Sequence, residues 1–196
     1  MQQRAAEHHP PLPGRRICVV GTSGSGKTFV ARKLADQLGL RYVSNDALIW
    51  AADWQPVPRE QQLEAFDRAT RGDGWTFDGN LGPRAEDQLV LSRCDTLVWL
   101  DLPRWQVMWS ITRRTLWRAV TREQLWHGNV ERWRTVFSRD SMIAWAWRTY
   151  SGRRLAYAAL FADPAFGDRA RIRLRSRAEV DRWLASLPVG RAELQP

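Results

Sequence analysis

The sequence predicts an α/β fold, a parallel sheet held between two layers of helices, and three observations lead there. Short apolar runs rich in β-branched residues alternate with helical stretches along the 196 residues, which is the pattern of βαβ crossovers. The run TLVWLD (Thr96 to Asp101) is apolar nearly throughout, as a strand covered on both faces must be. A Gly/Ser-rich turn, GTSGSGKT (Gly21 to Thr28), falls between the first strand and the first helix, where such folds gather anions at a helix N-terminus.

Taken in order, RRICVV (Arg15 to Val20) reads as the first strand and FVARKLADQLG (Phe29 to Gly39) as a helix with a glycine stop. RYVSND (Arg41 to Asp46) is a second short strand, and PREQQLEAFDRAT (Pro58 to Thr70) a helix opened by proline and acidic residues. WTFDG (Trp75 to Gly79) is the third strand, followed by a helix near Arg84 to Ser92, and Thr96 to Asp101 the fourth. A long helix from Pro103 to about Val120 and another near Ser141 to Phe161 flank a polar stretch. ARIRLRS (Ala170 to Ser176) is the fifth strand and RAEVDRWLASL (Arg177 to Leu187) the last helix.

Length and 44% hydrophobic content suit one domain, residues 15–187, between a disordered tail of residues 1–14 and a C-terminal tail of residues 188–196. No apolar run approaches the roughly 20 residues of a membrane span and no signal-peptide core is present, so a cytoplasmic protein is expected. Cys18 and Cys94 read as small core residues.

Gly21 to Thr28 fits G-x-x-x-x-G-K-[ST]. In that pattern the N–H groups of Gly21, Thr22, Ser23, Gly24, Ser25 and Gly26 cradle phosphates, Lys27 reaches the β- and γ-phosphates, and Thr28 offers its hydroxyl to Mg²⁺. Only two of the 30 cationic residues are lysine, Lys27 and Lys33, so a lysine falling here by accident is improbable. ATP and Mg²⁺ are the implied cofactors.

In parallel sheets ligands bind beyond the carboxyl ends of the strands, which here read Gly21, Asp46, Asp78 and Asp101. A carboxylate beside phosphates is useful as a partner of Mg²⁺ or as a base. Asp78, in FDGN, is the candidate metal-organising residue; Asp101, in WLDLP, either shares that role or caps the following helix. Asp46 stands where an acceptor hydroxyl would approach the γ-phosphate and is the candidate base, with Trp50 and Trp54 as candidate pocket walls.

The net charge of +9 is concentrated. Between Pro103 and Arg154 eleven arginines face three acids, a surplus of +8, and seven of the twelve tryptophans lie there too. An arginine-bearing lid that neutralises the transferring phosphoryl group accounts for this, with Arg113, Arg114 and Arg148 as its candidate phosphate ligands. Trp105 and Trp109 have the spacing of a core face. A basic segment also suits nucleic acid.

GTSGSGKT, VSNDALIW, FDGN, LVWLDLPRWQVMWSITRR and the later W-x-W-R stretch together resemble the adenylate-kinase-related P-loop proteins often labelled DNA topology modulation proteins, over roughly Arg16 to Leu187. The resemblance implies a nucleoside-monophosphate-kinase-like sheet of five parallel strands in the order 2-3-1-4-5. It also implies an Arg/Trp-rich lid at about residues 120–140 and ATP-dependent phosphotransfer to a nucleotide or small hydroxylated metabolite. It aligns Asp78 with the kinases' DG aspartate and Arg113 or Arg114 with the first lid arginine. The kinases' DGFPR becomes DGNLGPR, placing Arg84 two residues late as an acceptor-phosphate ligand. The VSND segment looks more like the hydroxyl-binding region of shikimate and gluconate kinases. The group's label carries a second expectation, an ATP-regulated DNA-associated or interaction protein with weak ATPase activity. Salt-sensitive DNA binding would mark that one and acceptor-stimulated ADP release the first.

Overall fold

The structure is a computed structural model that describes residues 11–121, 141–167 and 169–188. Of the expected tails, residues 1–10 and 189–196 lie outside the described residues, as do residues 122–140 of the expected lid. The strands are β1 (Arg16–Gly21), β2 (Arg41–Ser44), β3 (Trp75–Asp78), β4 (Thr96–Leu100) and β5 (Ala170–Leu174). They form one sheet in the order β2-β3-β1-β4-β5 with every pairing parallel, as the resemblance implies. The helices are α1 (Lys27–Leu38), α2 (Asn45–Ile49), α3 (Arg59–Thr70), α4 (Ala85–Arg93), α5 (Arg104–Thr121), α6 (Met142–Ala162) and α7 (Arg177–Ser186).

The period of two along β1 divides the core between the two faces of the sheet. Ile17 and Val19 join Val98, Leu100, Ile172 and Leu174 against Val30 and Leu34 of α1 and Trp183 and Leu184 of α7. Cys18 and Val20 point the other way, with Leu97, Trp99 and Phe77, against Phe66 of α3, Val90 of α4 and Tyr157 of α6. Cys18, opposite Phe77 on one side and Leu97 on the other, is wholly buried, and Cys94 is nearly so. Helix ends follow local chemistry. Gly39 closes α1 in the left-handed region (φ 62°), its N–H donating to the Ala35 carbonyl. The Ser176 hydroxyl accepts from the Glu179 N–H at the start of α7, and the Glu179 carboxylate accepts from the Arg175 N–H.

Two expectations are corrected. β2 stops at Ser44, and Asn45 and Asp46 open a short helix instead of ending a strand. Coiling there turns Leu48 and Ile49 onto the sheet's apolar face. Trp105 and Trp109 share a helix face, but it is the outer one: each is 70% exposed, while Val107, Ile111 and Thr115 form the buried stripe of α5. Spacing of four residues establishes a common face without saying which way it points.

Candidate active site

The loop Gly21–Thr28 crosses from the end of β1 to the start of α1, as its pattern requires. Gly24 has φ 88° and no room for a side chain: a Cβ there would stand 2.7 Å from the Val107 carbonyl oxygen and 3.0 Å from Ile111 Cβ of α5. Gly26 occupies the N-cap of α1 at φ 94°, and no side chain caps the helix. The helix therefore offers its first N–H groups to an anion.

Three oxygen-bearing side chains converge beside this turn. Thr28 Oγ1 donates to Asp78 Oδ2 at 2.5 Å, joining α1 to the end of β3. The Tyr42 hydroxyl, from β2, donates to the same oxygen at 3.2 Å. Lys27 is buried, its Nζ donating to the Thr22 carbonyl oxygen at 3.3 Å. Burial lowers its pKa to about 8 against the opposing pull of Asp78 and Asp46, while the cations Arg114 and Arg153 lower it further. Burial pushes the Asp46 carboxyl up, with Lys27 drawing it down and Asp78 raising it. Lys27, Asp46, Asp78, Arg114 and Arg153 thus form one electrostatic neighbourhood, assembled from α1, α2, β3, α5 and α6.

The loop after β3 is held from both sides. Gly79 packs so closely on α2 that a Cβ would stand 2.8 Å from Asn45 Cβ. The Asn45 side chain is buried with its Oδ1 unpartnered among the described residues, and its Nδ2 donates weakly to Asp46 Oδ1 at 3.5 Å. Trp50 and Trp54, the expected walls, meet edge to face at 6.2 Å in the segment that follows α2. Both Asp53 and Trp54 there are in the left-handed region, at φ 55° and 56°, a costly conformation for residues with a Cβ.

The arginines sort differently from expectation. Arg84 is engaged by Asp87, whose two oxygens accept from its Nη2 and Nε at 2.9 Å each, while Asp87 also accepts from the Gly82 N–H at 3.1 Å. This fork ties down the FDGNLGPR loop, and it commits the guanidinium expected to meet the acceptor. Asp101 is paired with two arginines. Its Oδ1 accepts from Arg154 Nε at 2.6 Å and its Oδ2 from Arg173 Nη2 at 2.6 Å. Burial opposes its ionisation, but the two guanidiniums outweigh that and hold the carboxyl below its ordinary range.

On α6 the inward stripe is Ala146, Tyr150, Arg153 and Tyr157, with Arg153 half-buried and the other three buried. Arg148 follows Ala146 by two residues, about 200° around the helix, and is exposed. Arg153, not the candidate phosphate ligand Arg148, lies on the inward face. Its guanidinium stacks 4.7 Å from the Trp145 ring, and its Nη1 lies 3.5 Å from the Tyr157 hydroxyl, which itself lies 3.5 Å from Asn80 Oδ1. On α5, Ser110, Arg113, Arg114 and Trp117 line, with Arg177 of α7, a cleft of about 480 Å³ next to the loop that Ile111 supports, and Arg177 donates to the Ser110 hydroxyl. Arg114 is half-buried and Arg113 exposed. Tyr42 and Arg153 escaped sequence reasoning, Tyr42 because an aromatic in a strand reads as packing, and Arg153 because eleven arginines share its segment.

Among the described residues no three His, Cys, Asp or Glu side chains come together as a metal site. Thr28 and Asp78 offer hard oxygens, which fits Mg²⁺ held mainly by phosphate oxygens and one or two protein groups. Among the same residues no helix is long and apolar enough to cross a membrane.

No family model matches the chain. It is 35% identical over 98 residues to the shikimate kinase of Symbiobacterium thermophilum, covering 43% of this chain and 56% of that protein. The chain spans between about a quarter and about half of the length of the curated relatives it matches. Among solved structures, the shikimate kinase of Bacteroides thetaiotaomicron superposes with a TM-score of 0.53 at 12% identity, over 86% of this chain and 93% of the other. A gluconokinase from Sinorhizobium meliloti 1021 does so with a TM-score of 0.50 at 17% identity, over 89% and 93%. The fold is that of the P-loop kinases.

Proposed function

We propose that this chain is an ATP-dependent phosphotransferase whose acceptor is a hydroxyl of a small metabolite. The observation that carries the reading is the Thr28–Asp78 hydrogen bond beside a buried Lys27. It sets a hydroxyl and a carboxylate suited to Mg²⁺ against the lysine of a phosphate-binding loop. The shikimate kinase and gluconokinase similarities support the same chemistry, and the VSND segment favours a hydroxylated metabolite over a nucleotide. The DNA-associated alternative, and membership of the topology modulation group, draw no support from those similarities.

Residues Gly21 to Thr28 wrap the phosphates, and Lys27 follows the charge that develops on the transferring group. When bound, Mg²⁺ would be held by Thr28 and Asp78 and would neutralise the β- and γ-oxygens. Asp46 accepts the proton of the acceptor hydroxyl as that oxygen bonds to the γ-phosphorus and the bond to the ADP oxygen breaks. Its burial raises its affinity for that proton. Arg114 and Arg153 bring positive charge from α5 and α6, and the cleft bounded by Ser110, Arg113, Trp117 and Arg177 receives the rest of the nucleotide.

The test separates the two acids. ADP release is measured with Mg·ATP alone and with a panel of hydroxylated metabolites and nucleoside monophosphates. Asp78→Asn is expected to impair basal hydrolysis and every acceptor together. Asp46→Asn is expected to lose acceptor-stimulated release while keeping nucleotide binding. Indistinguishable profiles for the two variants would refute the assignment.

A further inference from the structure

We propose that Tyr42 is a positioning residue for the site, acting through Asp78 to hold the carboxylate in the orientation that meets the nucleotide's metal. The inference rests on the reading of Gly21 to Thr28 as a Mg·nucleotide site.

Four side chains from three elements close a ring. Thr28 and Arg32 stand four residues apart, on one face of α1. Thr28 Oγ1 donates to Asp78 Oδ2 at 2.5 Å, Tyr42 donates to that same oxygen at 3.2 Å, and the Arg32 guanidinium lies 5.1 Å from the centre of the Tyr42 ring. A carboxylate on one hydrogen bond keeps a soft torsion about its Cβ–Cγ bond. A second donor on the same oxygen, arriving from a different strand, fixes the plane of the group. Asp78 Oδ1 accepts no hydrogen bond from a described residue, so both hydroxyls hold the carboxylate by one oxygen.

Thr28 alone could not serve as the anchor, because its oxygen is also offered to the metal. Tyr42 has no such second duty. Its hydroxyl is placed from β2 to donate to Asp78 Oδ2. Outer partners of this kind orient metal-facing ligands and tune affinity without touching the ion. Arg32 braces the ring from α1, the helix whose first turn carries Lys27 and Thr28.

The experiment is equilibrium binding of ADP to the full chain, with excess Mg²⁺ and separately with a chelator, for the wild type, Tyr42→Phe and Asp78→Asn. Tyr42→Phe removes one oxygen and keeps the ring that Arg32 covers. It is expected to weaken Mg·ADP binding roughly 3- to 10-fold, the equivalent of one hydrogen bond, and to leave metal-free ADP binding unchanged. Asp78→Asn should show a larger loss with the same restriction to Mg²⁺. An equal loss with and without Mg²⁺ would make Tyr42 a merely structural residue, and no loss would show that Asp78 needs no brace; either overturns the proposal. A wild type that binds no nucleotide overturns the site reading beneath it as well, and is recognised in the same titration.

Discussion

Lys27 carries its charge at a cost, buried on its own loop with a pKa of about 8, against roughly 10.4 for a free lysine. Between those values the unfolded chain holds more protons than the folded one, so this group makes the protein more stable as pH rises from about 8 to about 10.4. Nucleotide phosphates favour the ammonium, so binding has the opposite dependence. ATP affinity is expected to fall above about pH 8, steepening toward tenfold per pH unit, as free Lys27 loses its proton. Lys27→Ala should bind weakly and without that slope, which calorimetric titrations at several pH values would show. The loop with Lys27 and Thr28 was legible in the sequence because its chemistry fixes both residue type and spacing, and Asp78 was a candidate because it ends a strand on the ligand side of the sheet. Tyr42 was not: its contact with Asp78 exists only because β2 and β3 pair in the register that sets Ser44 opposite Asp78.

Helix α6 brings two adjacent arginines to different tasks. Arg153 lies on the inward stripe, within the electrostatic reach of Lys27, whereas Arg154 binds Asp101 at the end of β4. Arg153→Ala is therefore expected to lower kcat about 10- to 100-fold with a small change in KM, the signature of charge met mainly in the transition state. Arg148→Ala, on the outer face, should leave both constants unchanged. Full turnover of the Arg153 variant in a steady-state assay would remove α6 from the mechanism.

Asp101 anchors the same helix. Its carboxyl is held below its ordinary range by Arg154 and Arg173 against the effect of burial. The stability it adds is complete above about pH 4 and fades as the pH falls through its lowered folded value. Asp101→Asn should cost roughly 1–3 kcal/mol at neutral pH in denaturant titrations, with the difference from wild type narrowing in acid. Helical periodicity revealed α5 and α6, but not their rotation about their axes. Val107 and Ile111 face the loop because Gly24 leaves room for them, a tertiary fact that turned Trp105 and Trp109 outward. The short α2 was hidden for a related reason, since its five residues carry too little periodicity to separate from the end of a strand.

At the scale of the whole molecule, parallel pairing gathers the ends of β1, β2 and β3 at one edge, where Asp78 ends β3 and the helices after β1 and β2 bring Lys27 and Asp46 beside it. The sheet order came only with the family resemblance, whereas parallel pairing and layers were legible because alternation of strand and helix implies right-handed βαβ crossovers. The choice between a phosphate-closing role and a nucleic-acid role for the +8 surplus of residues 103–154 was not, because charge composition is the same for both. Salt titration separates them: a protein using these arginines on DNA loses affinity with a slope near one unit per phosphate contact. The kinase reading expects ATP turnover without DNA. The most direct measurement follows the γ-phosphoryl group itself. With γ-labelled ATP, Mg²⁺ and a pool of small hydroxylated metabolites, the label is expected to appear in an organic phosphate ester, and to do so only with Lys27 intact. Label released solely as inorganic phosphate, at a rate that neither the pool nor Lys27→Ala alters, would contradict phosphotransfer at this site.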